Sequence, residues 1–183
     1  MPIAENHRKE SSQRIIVENK EMADIQLCEV RTALLNHIRD LAAASPSLVS
    51  LQTAIVASMA QHLLHYSWTG FYMIDPDDPE MLVLGPFVGA PTPHVRIPVS
   101  QGICGAAVAS GETVIVDDVA ADPRYLSCSI DTRSEIVVPI YLRGSVIGEI
   151  DIDSHDPAAF TDADRTFLEE AARIVSSYIE QHP

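Results

Sequence analysis

Three cysteines and a group of carboxylates carry the residue types in this chain that can do covalent chemistry. Cys128 lies in the stretch PRYLSCSID (residues 123–131), between Ser127 and Ser129. Buried structural cysteines prefer apolar neighbours, and this one has none beside it. It is either a bystander on the surface or a thiol placed where a small molecule can reach it. In the second case its thiolate is a nucleophile. Glu149, Asp151 and Asp153 alternate with Ile150 and Ile152. At the two-residue period of a strand, the acids share one face and the isoleucines take the other. Glu135 opens the preceding apolar run and could join them across a hairpin. The set reads either as the solvated face of an edge strand or as a carboxylate cluster facing a cavity. Clustered acids repel, so one of them can keep its proton near neutral pH. A protonated carboxyl donates a proton, and an ionised one holds an ammonium group.

Two further positions have double readings. Trp68 and Tyr72, four apart in WTGFY with Gly70 between them, share a strand face. They are ordinary core packing or an aromatic slot around a small apolar group. Cys104 follows a glycine at an expected helix start. The helix N-terminus would favour its thiolate. Alternatively, Ile103, Ala106 and Ala107 bury it as a small hydrophobe. Cys28 falls on an apolar helical stripe and reads as core filler.

The elements that would position these groups follow from periodicity. Residues 1–21 are charged and mixed, a polar tail or the frayed start of a helix, and residues 22–183 read as one domain. Apolar residues recurring at three and four predict helices over Met22–Ala44 and Ser47–Tyr66. Strands are predicted over Trp68–Ile74, Met81–Leu84, Thr113–Val116, Ile136–Tyr141 and Val146–Asp153, with an edge segment at Val95–Pro98. Gly85–Phe87 is expected to enter a loop, Gly102–Ala109 a short helix, and Ala163–Gln181 a final helix capped by Thr161-Asp162. Asp117–Asp131 is a long polar loop, and loops of that length are often functional. The class is α+β: an antiparallel sheet, helices packed on one face, and ligand-covering loops on the other. A cavity belongs between the open face and those loops.

Composition excludes several classes. Net charge is −14, which repels nucleic acid and anionic membranes. No apolar run approaches the roughly 18 residues that span a bilayer, and the N-terminus lacks a signal-peptide core. The odd, widely spaced cysteines suit a reducing cytoplasm. No CxxC, HExxH or zinc spacing is present, so neither a metal nor a cofactor is expected.

The motifs WTGFY, LVLGPFVG, VRIPVSQGICGAA, SEIVVPI and GEIDIDS, in this order, resemble the free methionine-(R)-sulfoxide reductases, which are single GAF-domain enzymes. The resemblance runs from about Leu41 to Ala172. It implies reduction of free L-methionine (R)-sulfoxide, recycling by thioredoxin, and a part in oxidative-stress defence. By position it implies that Cys128 attacks sulfur, that Glu135, Asp151 and Asp153 bind substrate, and that Trp68 and Tyr72 surround its methyl group. Cys104 corresponds to the cysteine of the family's GxCG turn. Two positions depart from the family pattern. His94 stands where a resolving cysteine is usual, and Ser129 where an aspartate usually follows the attacking cysteine. With that thiol gone, Cys104 is the expected resolving partner, and His94 and Ser129 are expected to contribute polarity around the substrate. The departures also support a rival from another class, a GAF module that binds a small ligand without turning it over. An interaction protein that dimerises through N-terminal helices is a further alternative, and a homodimer is compatible with each.

Overall fold

Ser47 accepts the amide of Ser50 on its hydroxyl at 3.2 Å, and this N-cap starts the second helix. The structure, a computed structural model, describes the backbone of residues 3–127 and 129–182, and side chains from Glu21 onward. The first helix, α1, spans Ile3–Ala44, and α2 spans Leu48–His62. They are followed by β1 (Trp68–Asp75), β2 (Asp78–Val88), β3 (Arg96–Pro98), α3 (Gly102–Ser110) and β4 (Val114–Val116). A single 3-10 turn at Val119–Ala121 interrupts the long loop; then come β5 (Ser134–Leu142), β6 (Ser145–Ser154) and α4 (Asp162–Gln181). β2 runs through the Gly85–Phe87 segment that was expected to be loop.

The chain divides into two compact units, Met1–Ala33 and Leu34–Pro183. The first is helical wherever it is described, and its Met22, Ile25 and Cys28 are exposed. Cys28 is therefore not the core filler that its stripe suggested. The stripe becomes a packing face only at Leu34 and Ile38, which are buried in the second unit.

The second unit is built on one antiparallel sheet in the order β3-β2-β1-β6-β5-β4. β6 is thus a central strand, hydrogen-bonded to β1 and β5. The β5–β6 hairpin turns at Arg143-Gly144, both at positive φ (52° and 85°), the geometry that matches the twist of paired strands. Phe71, Ile136, Ile140, Ile150 and Ile152 are buried on one face. Strand alternation directs them to the layer of α2 and α4, which contributes Leu51, Ile55 and Met59 and Phe167, Leu168 and Val175. Each such side chain contributes about 1.5–3 kcal/mol when fully buried. The Asp164 carboxylate accepts the Thr161 amide at 2.9 Å and its hydroxyl at 2.7 Å, which fixes the start of α4. The opposite face is covered by α3 as well as by loops, a departure from the expected segregation of every helix to one side. Ile103, Cys104 and Ala107 of α3 pack there with Trp68, Tyr72, Leu82, Ile97 and Val137. Tyr125 and Leu126 of the long loop pack against the same group.

Candidate active site

Strand register assembles the acids. Across β6 and β1, Asp153 pairs with Trp68, Asp151 with Gly70, and Glu149 with Tyr72. Across β6 and β5, Asp153 pairs with Glu135 and Asp151 with Val137. Paired residues share a face, so four carboxyls and two aromatic rings lie on the α3 side of the sheet. The acids are not on a solvated edge. Glu149 is 0% exposed, Asp151 3%, Asp153 4% and Glu135 5%. Both Glu149 oxygens and Oδ1 of Asp151 meet no donor at hydrogen-bond geometry.

This environment opposes ionisation. Burial pushes the carboxyls of Glu135, Glu149 and Asp151 well above the usual range, and repulsion by their acidic neighbours adds to the shift. Desolvation raises Asp153 to about 7, partly opposed by its hydrogen bond with Thr132. Near neutral pH the four cannot all be charged. The cluster is therefore both a proton store and a site that welcomes a cationic group.

Cys104 sits against the cluster. Its thiol donates to Oδ2 of Asp151 at 3.7 Å. Burial pushes this thiol well above its normal range, and the charges of Glu149, Asp151 and Glu135 push it further. Of its two readings, the buried one holds. Desolvation and three acids outweigh the start of α3, so the resting group is a neutral thiol.

Trp68 and Tyr72 stack with ring centroids 6.3 Å apart, and the Trp68 indole NH donates to the Ala90 carbonyl at 3.1 Å. Gly70 has a steric role between them. A Cβ there would lie 2.3 Å from Cη2 of Trp68, so the indole itself fills the slot above the glycine. The Tyr72 hydroxyl donates to the His94 carbonyl at 2.8 Å. Nε2 of His94 lies 3.2 Å from the Ser127 carbonyl, which only accepts, so this nitrogen carries the hydrogen. His94 therefore ties the segment before β3 to the residue preceding Cys128. Cys128 itself lies outside the described residues. The hydroxyl of Ser129 accepts the Asp131 amide at 3.1 Å, and its carbonyl accepts the Tyr125 hydroxyl at 3.3 Å. A pocket of about 70 Å³ gathers Trp68, Thr92, Ser129, Thr132 and Asp153. The residue after Cys128 thus lines the same pocket as one acid of the cluster and one aromatic ring.

The sequence-derived set, Cys104, Glu135, Asp151, Asp153, Trp68 and Tyr72, converges on one face of the sheet. His94 and Ser129 lie at its margin. Alternation puts Glu149 on the acid face too; it is outside that set, although it is the most buried of the four. Thr132, which hydrogen-bonds Asp153, carried no signal in the sequence. Cys104, Glu135 and Asp151 also have the donor types for a metal ion.

A GAF domain model matches residues 48–179. The chain is 36% identical over 131 residues to the free methionine-R-sulfoxide reductase of Escherichia coli strain K12, covering 68% of this chain and 77% of that protein. It is 39% identical over 127 residues to protein YtsP of Bacillus subtilis, covering 67% and 77%. The X-ray structure of the free methionine-R-sulfoxide reductase from Neisseria meningitidis in complex with its substrate superposes with a TM-score of 0.80. The identity is 36%, over 84% of this chain and 90% of that one. With the acid cluster, the paired aromatics and the α3 cysteine held on this scaffold, the chain belongs to the GAF-domain family and, within it, to the free methionine-(R)-sulfoxide reductase family.

Proposed function

We propose that this chain reduces free L-methionine (R)-sulfoxide to L-methionine. The observation that carries the reading is the buried, incompletely hydrogen-bonded acid cluster walled by Trp68 and Tyr72. Methionine sulfoxide offers a complementary set of groups: an ammonium for ionised carboxylates, a methyl for aromatic rings, and a sulfoxide oxygen that must be protonated to leave sulfur. Relatives named for this activity, in Escherichia coli and in Neisseria meningitidis, support it.

In the proposed reaction the Cys128 thiolate attacks the sulfoxide sulfur. A protonated carboxyl of the Glu135–Asp151–Asp153 group supplies one proton to the oxygen. The substrate's sulfur–oxygen bond breaks, and the oxygen ends on Cys128. The products are methionine, now a neutral thioether, and a cysteine sulfenic acid. The Cys104 thiol then attacks that sulfenic acid, with Oδ2 of Asp151, 3.7 Å from Sγ, as the base that takes its proton. A Cys104–Cys128 disulfide forms and water leaves. Thioredoxin dithiol reduces the disulfide by exchange. His94, which lacks a thiol, holds the Cys128 loop through Ser127 instead. Ser129 adds polarity beside the substrate. A homodimer and a reducing cytoplasm, where thioredoxin recycling operates, belong to the same proposal. Among the described residues no helix is long and apolar enough to cross a membrane.

A binding-only GAF module remains the second reading, favoured by His94 and Ser129 at their two positions. Thioredoxin-coupled NADPH oxidation with resolved sulfoxide epimers separates the two. The enzyme reading requires turnover of the free (R) epimer and none of the (S) epimer. Saturable binding of the (R) epimer without NADPH oxidation would establish the module reading instead.

A further inference from the structure

The acid face holds more ligand atoms than a substrate ammonium group needs. Sγ of Cys104 and one oxygen each from Glu135 and Asp151 lie within 4.8 Å of one another. Within this group Oδ1 of Asp151, a residue only 3% exposed, meets no donor. Buried polar atoms are nearly always paired, so an enclosed carboxyl oxygen without a donor implies a partner that the protein does not itself supply. Glu149, wholly buried, lies beside this group, in contact with Cys104 and repelled by Asp151.

We propose that Cys104, Glu135 and Asp151, with Glu149 beside them, form a binding site for a divalent transition cation, Zn²⁺ foremost. Geometry supports a tetrahedral ion. Zinc bonds of about 2.3 Å to sulfur and 2.0 Å to oxygen put S and O about 3.5 Å apart on a tetrahedral edge. The Cys104 Sγ to Asp151 Oδ2 separation is 3.7 Å. The donor types select the ion: sulfur is a poor ligand for Mg²⁺ and Ca²⁺, which want six or more oxygens, whereas one thiolate with carboxylates suits zinc or cobalt. Electrostatics agrees, because a dication turns the mutual repulsion of three carboxyls and a thiolate into attraction. The ligands come from α3, β5 and β6 rather than from one short segment, so no spacing motif betrays them.

The same atoms would grip the ammonium of methionine sulfoxide in the proposed reaction. Cation and substrate therefore exclude one another, and the ion is an inhibitor rather than a cofactor. Cation binding itself does not depend on the reductase reading.

The test uses Co²⁺ as a spectroscopic probe on the full, reduced chain. The parent protein should take up one Co²⁺ per chain, with a near-ultraviolet thiolate-to-cobalt charge-transfer band and the visible bands of a tetrahedral ion. One equivalent of Zn²⁺ should remove both. The double variant Cys28→Ser/Cys128→Ser leaves Cys104 as the sole thiol of three and should keep the band. Adding Cys104→Ser should abolish it, and Glu149→Gln should weaken binding roughly tenfold or more. Circular dichroism establishes that each variant is folded. Isothermal titration of the parent with Zn²⁺, which needs no variant, should give one site per chain. Absence of a charge-transfer band in the parent would overturn the proposal. So would a band that survives Cys104→Ser, or unchanged affinity in folded Glu149→Gln. No readout is catalytic, so failure of the reductase reading would leave this result standing.

Discussion

Replacing Asp153 by asparagine should stabilise the protein, and by more as pH rises. Asp153 titrates at about 7 when folded, against 3.8 for the unperturbed group. Its folded form binds the proton more tightly than its unfolded form, so stability falls as pH rises between these two values. The rise from 3.8 to about 7 corresponds to about 4 kcal/mol of folding penalty once the group is fully ionised. At pH 5 the folded group is still protonated while the unfolded one is mostly ionised, and linkage gives about 2 kcal/mol. At pH 8.5 both forms are ionised and the full penalty of about 4 kcal/mol applies. Asparagine keeps the shape and can still meet Thr132, but carries no charge to desolvate. Urea denaturation of parent and Asp153→Asn at pH 5, 7 and 8.5 should therefore show a stability gap that opens by about 2 kcal/mol across the series. The same variant should lose most of its use of methionine sulfoxide, because the ammonium loses a carboxylate. Parallel stability profiles with a constant gap would show instead that Asp153 titrates alike in both states and that the cluster is solvated.

Other expectations follow from single contacts. Cys104→Ser should retain a burst of one methionine per chain and lose thioredoxin-linked turnover. Mass spectrometry of the parent after substrate addition should find a Cys104–Cys128 bridge, and full turnover in the variant would assign resolution to the external thiol. N-acetyl-methionine sulfoxide and peptide-bound forms should be poor substrates, because they carry no ammonium for the acids; rates equal to those of the free amino acid would contradict this. Gly70→Ala puts a Cβ 2.3 Å from the indole of Trp68. It should cost about 1–3 kcal/mol in thermal unfolding and raise KM, and unchanged values of both would show that the ring yields freely.

Much of this site is legible in the chain because strand alternation is a strong geometric rule. The string GEIDIDS, once read as a strand, commits Glu149, Asp151 and Asp153 to one side whatever covers it. The string could not say whether that side is wet. Burial depends on β6 being flanked by β1 and β5 and roofed by α3, which are long-range facts. The same limit explains Cys28: its stripe is apolar, but a stripe becomes core only where something packs on it, and α1 is exposed there. Cys104 needed the roof as well. At a helix start it has the local setting of an acidic thiol, yet three acids arriving from β5 and β6 reverse the sign. β2 outran its expected end because Gly85 and Pro86 read as breakers, while pairing of Gly70 with Phe87 and of Thr69 with Val88 carries the strand past them. Turn signals at Arg143-Gly144 and the Thr161 cap were local, and both could be read from neighbouring residues alone.

In the proposed reaction a thiol and buried acids reduce one epimer of a free amino acid. The direct measurement is single-turnover chemistry on the thiol-reduced protein with free methionine (R)-sulfoxide or (S)-sulfoxide and no external reductant, methionine being counted by chromatography. One methionine per chain is expected from the (R) epimer, none from the (S) epimer, and none from either in folded Cys128→Ser. Methionine formed equally from both epimers, or formed by Cys128→Ser, would contradict it.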